Sequence, residues 1–105
     1  MSMPLEGIRV LELTQFAFGP RTAGFLVEMG AEVTKIENPQ GGDPVRGLLA
    51  LKGIPMYEGA YNAYFEQNNR GKRGIALDLR HERGREVAHK LIETSDVFVT
   101  NLRVS

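Results

Sequence analysis

The stretch IRVLELTQFAFGPRTAGFLVEMGAEVTKIE, residues 8–37, decides the fold. Ile8 to Leu13 is rich in branched apolar residues and partly alternates, the pattern of a half-buried strand. A turn carrying Gly19 and Pro20 follows, and proline suits a first helical turn because its missing N–H is not needed there. Ala23, Leu26, Val27 and Met29 then form a short apolar stripe, and Gly30 stands where a helix C-terminal cap belongs. Val33 to Glu37 reads as the next strand. Two strands joined by a helix of this length make a βαβ unit, whose strands run parallel.

Outward from this unit, NPQGGDPVRG (38–47) is a loop by composition. Residues 48–67 are ambiguous: Tyr61 to Gln67 suits a helix, but Gly53, Pro55 and Gly59 interrupt anything longer. The aromatics Tyr57, Tyr61, Tyr64 and Phe65 read as core or interface. NNRGKRG (68–74) is a turn with three basic residues, and IALDL (75–79) is a third strand. Glu82 to Thr94 is an amphipathic helix with Val87, Ala88, Leu91 and Ile92 on one stripe, and Asp96 to Val99 opens a fourth strand. This alternation predicts an α/β fold, a Rossmann-like parallel sheet with flanking helices.

The 105 residues fit one domain, which would bury roughly two-thirds of its unfolded surface. Thirteen basic residues balance thirteen acidic ones, which argues against a nonspecific nucleic-acid or membrane-surface binder. With no cysteine, disulfides, thiolate metal sites and cysteine nucleophiles are excluded. MSMPLEG lacks a basic and then apolar leader pattern, and no apolar run approaches the ~20 residues of a membrane span; a cytoplasmic protein is expected. Ligand crevices of open α/β sheets lie beyond the carboxyl ends of the strands. The sequence stops at such an edge, so a piece of a larger protein is expected.

The first turn, TQFAFGP, lacks the G-x-G-x-x-G of a dinucleotide site, although Glu37 stands where a ribose-binding acid would. On composition, Gly19-Pro20 serves equally to turn the chain sharply into a helix. The blocks PLEGIRVLELT, FGP, GAEVTKIENPQGGDPVR, NRGKRGIALDL and DVFVTNLR, in this order and with these gaps, resemble the N-terminal end of the class III CoA-transferases. That family, also called CaiB/BaiF, includes formyl-CoA transferase, carnitine CoA-transferases and α-methylacyl-CoA racemase.

The resemblance covers essentially the whole chain. It implies one CoA-binding lobe over residues 1–105, the N-terminal lobe of a larger interlocked fold that is a homodimer when full length. Coenzyme A and its thioesters would be substrates, with no permanently bound cofactor, no metal, no nucleic acid and no membrane. The matching contact positions are Ala17 and Phe18 in the first turn, Asn38 after the second strand, and Leu77, Asp78, Leu79 and Arg80 after the third. Asn101, Leu102 and Arg103 follow the fourth. Leu77 and Leu102 would give apolar contact, and Arg80 a charge for phosphate.

Several positions depart from the pattern. Ala17 replaces the glutamine of formyl-CoA transferase and is closer to the racemase. Asn38 replaces an arginine of several members. Leu102 replaces an aromatic, and Val104-Ser105 a Pro-Gly. None of Asp43, Asp78 or Asp96 matches the family's nucleophilic aspartate. In transferases that carboxylate attacks the thioester to give a mixed anhydride. In racemases an Asp and a His move an α-proton instead. A non-catalytic CoA-binding or interaction module is the alternative from another class.

Other residues carry two readings each. Arg70, Lys72 and Arg73 suit a phosphate clamp, or a solvated turn paired with Asp78 or another acid. His81 and His89 read as surface histidines without helical metal spacing. Glu37 and Asp78 could form a carboxylate pair, or Asp78 could orient the loop after its strand. GGDPVR suits a phosphate nest or a plain surface loop.

Overall fold

A computed structural model describes residues 2–48, 50–55, 57–59 and 61–103; the Val104-Ser105 substitution lies outside them. Strand β1 (Arg9–Leu13), helix α1 (Phe18–Glu28) and strand β2 (Glu32–Glu37) form the expected βαβ unit, with the strands parallel and Val10 opposite Val33. Gly30 ends α1 at φ 102°, a left-handed conformation that glycine adopts without steric cost. The N–H of Gly30 donates to the Val27 carbonyl and that of Ala31 to the Leu26 carbonyl. This Schellman closure satisfies the last carbonyls and points the chain into β2.

The loop after β2 contains a 3₁₀ turn (Pro44–Gly47). Beyond it lie four two-residue strands, β3 (Ala50–Leu51), β4 (Ile54–Pro55), β5 (Tyr57–Glu58) and β6 (Tyr61–Asn62), paired as two small antiparallel ribbons. Periodicity gives no warning of such short pieces. Helix α2 (Ala63–Asn69) follows, with Asn62 accepting from the Phe65 N–H as its N-cap. Two of the aromatics read as core or interface are half-buried: Tyr57 donates to the Arg46 carbonyl, and the Arg46 guanidinium lies 3.9 Å from the Phe65 ring centroid.

The third long strand is a correction. β7 spans Arg73–Ala76 rather than 75–79. Its pairing to β2 closes with the Leu77 N–H donating to the Glu37 carbonyl. Asp78 then turns the chain, its carboxylate accepting from the Arg80 N–H and its carbonyl from the His81 N–H. The alternation in IALDL continued past the point where this turn ends the ladder. Helix α3 (Glu82–Glu93) and strand β8 (Val97–Thr100) complete the fold.

The four long strands are all parallel, in the order β7-β2-β1-β8. β1 to β2 and β7 to β8 step in opposite directions across the sheet. Crossovers of one hand therefore put α1 and α3 on opposite faces. On the α1 face Val10, Ala23, Ala31 and Val33 make a small core, flanked by Leu5, Ile8, Leu26, Val27 and Val99. The other face, shared by Leu11 and Phe98, is less well covered: Phe98 is 47% exposed, and Val87 and Ile92 of α3 are also exposed. The radius of gyration, 14.4 Å, exceeds the roughly 13 Å typical of a closed domain of this length. Among the described residues, no helix is long and apolar enough to cross a membrane.

Candidate functional site

The chain leaves β1 toward one side of the sheet and reaches β8, its other neighbour, from the opposite side. This is a topological switch point, where the loops at the carboxyl ends part and leave a crevice. Side chains stitch the two strand ends together there. Thr100 donates to the Leu13 carbonyl at 2.7 Å, and the Asn101 amide spans Gln15, accepting from its N–H at 3.0 Å and donating to its carbonyl at 2.9 Å. Gly19 lets α1 approach this tie, because a methyl group on it would lie 2.7 Å from Thr14 Cγ2 and 2.9 Å from Asn101 Cγ.

Beside this tie lies a cleft of about 170 Å³, walled by Leu13 to Gln15, Ile36 to Asn38, Gly42, Asp43, Leu77 to Arg80 and Leu102. Six of the ten residues expected at a site meet here: Asn38, Leu77, Asp78, Leu79, Arg80 and Leu102. Asn101 sits at the adjoining tie. Ala17 and Phe18 do not line the cleft; they border a separate groove between α1 and α2 with Arg21, Phe25 and Tyr64, where Phe18 is 87% exposed. The turn directs them away, because Phe16 is left-handed at φ 67° just before α1 begins at Phe18. Arg103 is exposed.

The cleft rim carries two ion pairs. Arg46 forks onto Glu37, Nε to Oε1 at 2.8 Å and Nη2 to Oε2 at 3.0 Å, while the Asp43 N–H also donates to Glu37 at 2.9 Å. Burial alone would raise the Glu37 pKa. The Arg46 fork, the Asp43 N–H and the positive charges of Arg46 and Lys35 outweigh it and hold the carboxyl below the ordinary 4.5. Arg46 is raised in turn, chiefly by its hydrogen bond to Glu37. Asp78 is lowered by the Arg80 N–H and side chain. Glu37 and Asp78 thus each serve an arginine and a turn, and the reading of Asp78 as a loop-orienting residue fits.

A depressed carboxyl pKa stabilises the fold above the unfolded value and loses that contribution as pH falls through the folded value. The stability gap between the wild-type chain and Glu37→Gln is therefore expected to be full at about pH 6 and to shrink on acidification below about 4.5. Urea unfolding of both proteins at several pH values measures it; a gap independent of pH would contradict this assignment.

Beneath the cleft floor lies a buried charge cluster. Lys35 Nζ is 3.1 Å from Asp43 Oδ2 and 3.9 Å from Glu12 Oε2, and Lys72 Nζ is 2.5 Å from Glu12 Oε1. All four side chains are at most 3% exposed. Of the two readings of the basic turn, pairing with an acid fits Lys72 and Arg73. Lys72 is turned inward onto Glu12, and Arg73 pairs with Glu32 at 2.7 Å. Burial pushes the Lys72 ammonium below its usual range even though Glu12 opposes the shift.

Glu12 and Lys35 were missed in the sequence, yet a signal was present. In strands of alternating side chains each lies two residues after a core valine, Val10 and Val33, and so on the same inward face. The parallel register sets them side by side. His81 has its own structural task, accepting from the Arg83 N–H at the start of α3, and His89 is exposed.

The family model described as CoA-transferase family III matches residues 5–105. The chain is 41% identical over 105 residues to the succinate–glutarate CoA-transferase of Agrobacterium fabrum, covering 95% of this chain and 25% of that one. It is 40% identical to the (R)-2-hydroxy-4-methylpentanoate CoA-transferase of Clostridioides difficile, covering 97% and 25%. It is 41% identical to a formyl-CoA:oxalate CoA-transferase of Rhodopseudomonas palustris, covering 96% and 23%. The chain thus spans about a quarter of the length of these curated relatives. A CAIB/BAIF family protein from Brucella suis has a similar structure, with TM-score 0.80 and 36% identity over 97% of this chain and 26% of that one. So does Rv3272 from Mycobacterium tuberculosis, with TM-score 0.78 and 40% identity over 92% and 26%.

Proposed function

The chain belongs to CoA-transferase family III, and from that premise we propose that it is the CoA-binding portion of an enzyme that moves coenzyme A between carboxylic acids. One observation carries the reading: Asn38, Leu77 to Arg80 and Leu102, from three separate loops, wall one cleft at the strand carboxyl ends. Leucines on the walls suit the apolar parts of the carrier. Arg80, held by Asp78 and Gln40 through two of its N–H donors, has others to offer a phosphate. The cleft is smaller than the 300 Å³ or so usual for a whole ligand, so the carrier would extend over Gln15 toward Ala17 and Phe18.

In this reading the chain binds and orients while the transfer step belongs to a carboxylate outside this sequence. An aspartate oxygen attacks the thioester carbonyl and expels CoA thiolate, leaving a mixed anhydride. The thiolate then attacks the aspartyl carbonyl, releases the acyl carboxylate and leaves an enzyme–CoA thioester. The three aspartates of this chain have other work. Asp43 is buried on Lys35, Asp78 turns a loop, and Asp96 accepts from the Arg9 N–H. A full-length homodimer, which the resemblance implies, and a cytoplasmic location complete the proposal.

Calorimetric titration of the chain with CoA tests the reading. Binding is expected, and Arg80→Ala should weaken it about tenfold at low salt, the size of one charge-assisted hydrogen bond. No heat at millimolar CoA would defeat the chain as a CoA-binding portion; unchanged affinity in Arg80→Ala would remove the arginine from the site.

A further inference from the structure

We infer that the buried Lys35–Asp43 pair is a positioning device, which holds the turn after β1 in the shape that joins the cleft to the α1–α2 groove. The inference rests on the proposed binding of CoA, but its geometry stands separately. Asp43 uses its oxygens in two directions. Oδ1 accepts from the Phe16 N–H and the Val45 N–H, both at 3.1 Å, while Oδ2 faces the Lys35 ammonium at 3.1 Å. Lys35 in turn donates to the Thr14 carbonyl at 3.3 Å. One ion pair thereby grips the turn on both sides of Gln15.

Between these grips the backbone does something it would not do unaided. Phe16 has φ 67°, a left-handed conformation that a side-chain-bearing residue resists. That conformation sends Thr14 and Gln15 to the cleft and Ala17 and Phe18 to the groove. The turn is also anchored from behind, where Lys72 donates to the Pro20 carbonyl of α1 and to Asn69 of α2, each at 2.8 Å. Burying an ion pair is a poor way to gain stability, since apolar side chains of similar volume commonly do as well or better. What apolar residues cannot supply is the acceptor for the Phe16 N–H and the donor for the Thr14 carbonyl. Asp43 borders the cleft, but both of its carboxylate oxygens are committed, to the turn and to Lys35, so the pair acts on a ligand chiefly through this turn.

Amide hydrogen exchange on the chain, followed by NMR with and without CoA, tests the device. In the wild-type chain the Phe16 and Val45 amides should be protected, although neither is paired in a sheet or helix ladder; a freely exchanging Phe16 amide would overturn the inference. The charge-neutral double variant Lys35→Met/Asp43→Ala should release both amides by at least roughly tenfold while Val10 and Leu11 in β1 stay protected, and should weaken CoA by a similar factor. Lys35→Met/Asp43→Asn keeps the acceptor oxygen but not the donor to Thr14, so it should restore Phe16 protection to within about threefold of wild type and recover only part of the CoA affinity. Equal loss at Phe16 and in β1, or no rescue by asparagine, would show a merely structural role and overturn the inference. Failure of the wild-type chain to bind CoA would instead defeat the functional reading, and the exchange pattern would still decide whether the pair holds the turn.

Discussion

Lys72→Met is expected to destabilise the chain by about 3–5 kcal/mol, the usual cost of removing one partner from a buried ion pair. Lys72 Nζ sits 2.5 Å from Glu12 Oε1, and the two side chains are 2% and 0% exposed. Methionine is of similar length and would fill the space, and it spares the cost of burying an ammonium, the same cost that depresses the Lys72 pKa. That relief is the smaller effect, because Glu12 would remain. Its other contacts are the Thr14 hydroxyl and a Lys35 ammonium at 3.9 Å that is closer to Asp43. The Pro20 carbonyl and Asn69 would also lose their donor. Against a total stability of roughly 5–15 kcal/mol, such a loss could leave much of the chain unfolded.

The double variant Lys72→Met/Glu12→Gln removes both charges and should recover more than half of the loss, since what costs most is the stranded carboxylate. Urea denaturation of the wild-type, single and double variants, with the slope checked for constancy, measures the cycle. A loss below about 1 kcal/mol in the single variant would mean that water reaches Glu12, and the picture of a dry, paired cluster would be wrong.

Lys72 also shows where sequence reading stopped. In NNRGKRG three basic residues crowd a glycine turn, a pattern shared by a solvated loop and a phosphate clamp. Only the third dimension shows that the turn at Gly71 swings one of them under α1 toward Glu12. The βαβ unit was legible because its signals are local: branched residues in alternation, an apolar stripe, and a glycine at the helix end whose positive φ makes the Schellman closure. The end of β7 was not, because the Asp78 turn outweighs the alternation of IALDL. The candidate residues after β2 and β7 could be gathered in advance because parallel strands bring their carboxyl ends to one edge. Ala17 and Phe18 escaped that rule through the left-handed Phe16, a backbone choice that composition does not announce.

Gly84→Ala should destabilise the chain by about 1–3 kcal/mol and loosen the cleft wall, against the direction that helix propensity predicts. Gly84 lies in the first turn of α3, where alanine would ordinarily stabilise a helix by about 1 kcal/mol. Here a methyl group would lie 2.8 Å from the Asp78 carbonyl carbon and closer still to its oxygen. That oxygen belongs to the backbone of the turn and already accepts from the His81 N–H, so it cannot swing aside as a flexible side chain would. Either α3 moves off the loop or the loop moves, and both displace Asp78 and Arg80 from the cleft. Overpacking against a fixed carbonyl is the larger effect, and the sign of the change follows from it. Gly74→Ala is the matched control: nothing lies within 4 Å of the added methyl, so its effect should be neutral or slightly stabilising. Thermal or urea unfolding gives the stabilities, and amide shifts of Asp78 and Arg80 report the wall. Gly84→Ala matching Gly74→Ala in both would mean that α3 does not press on the loop, and that the glycine only tolerates a helix it does not help to place.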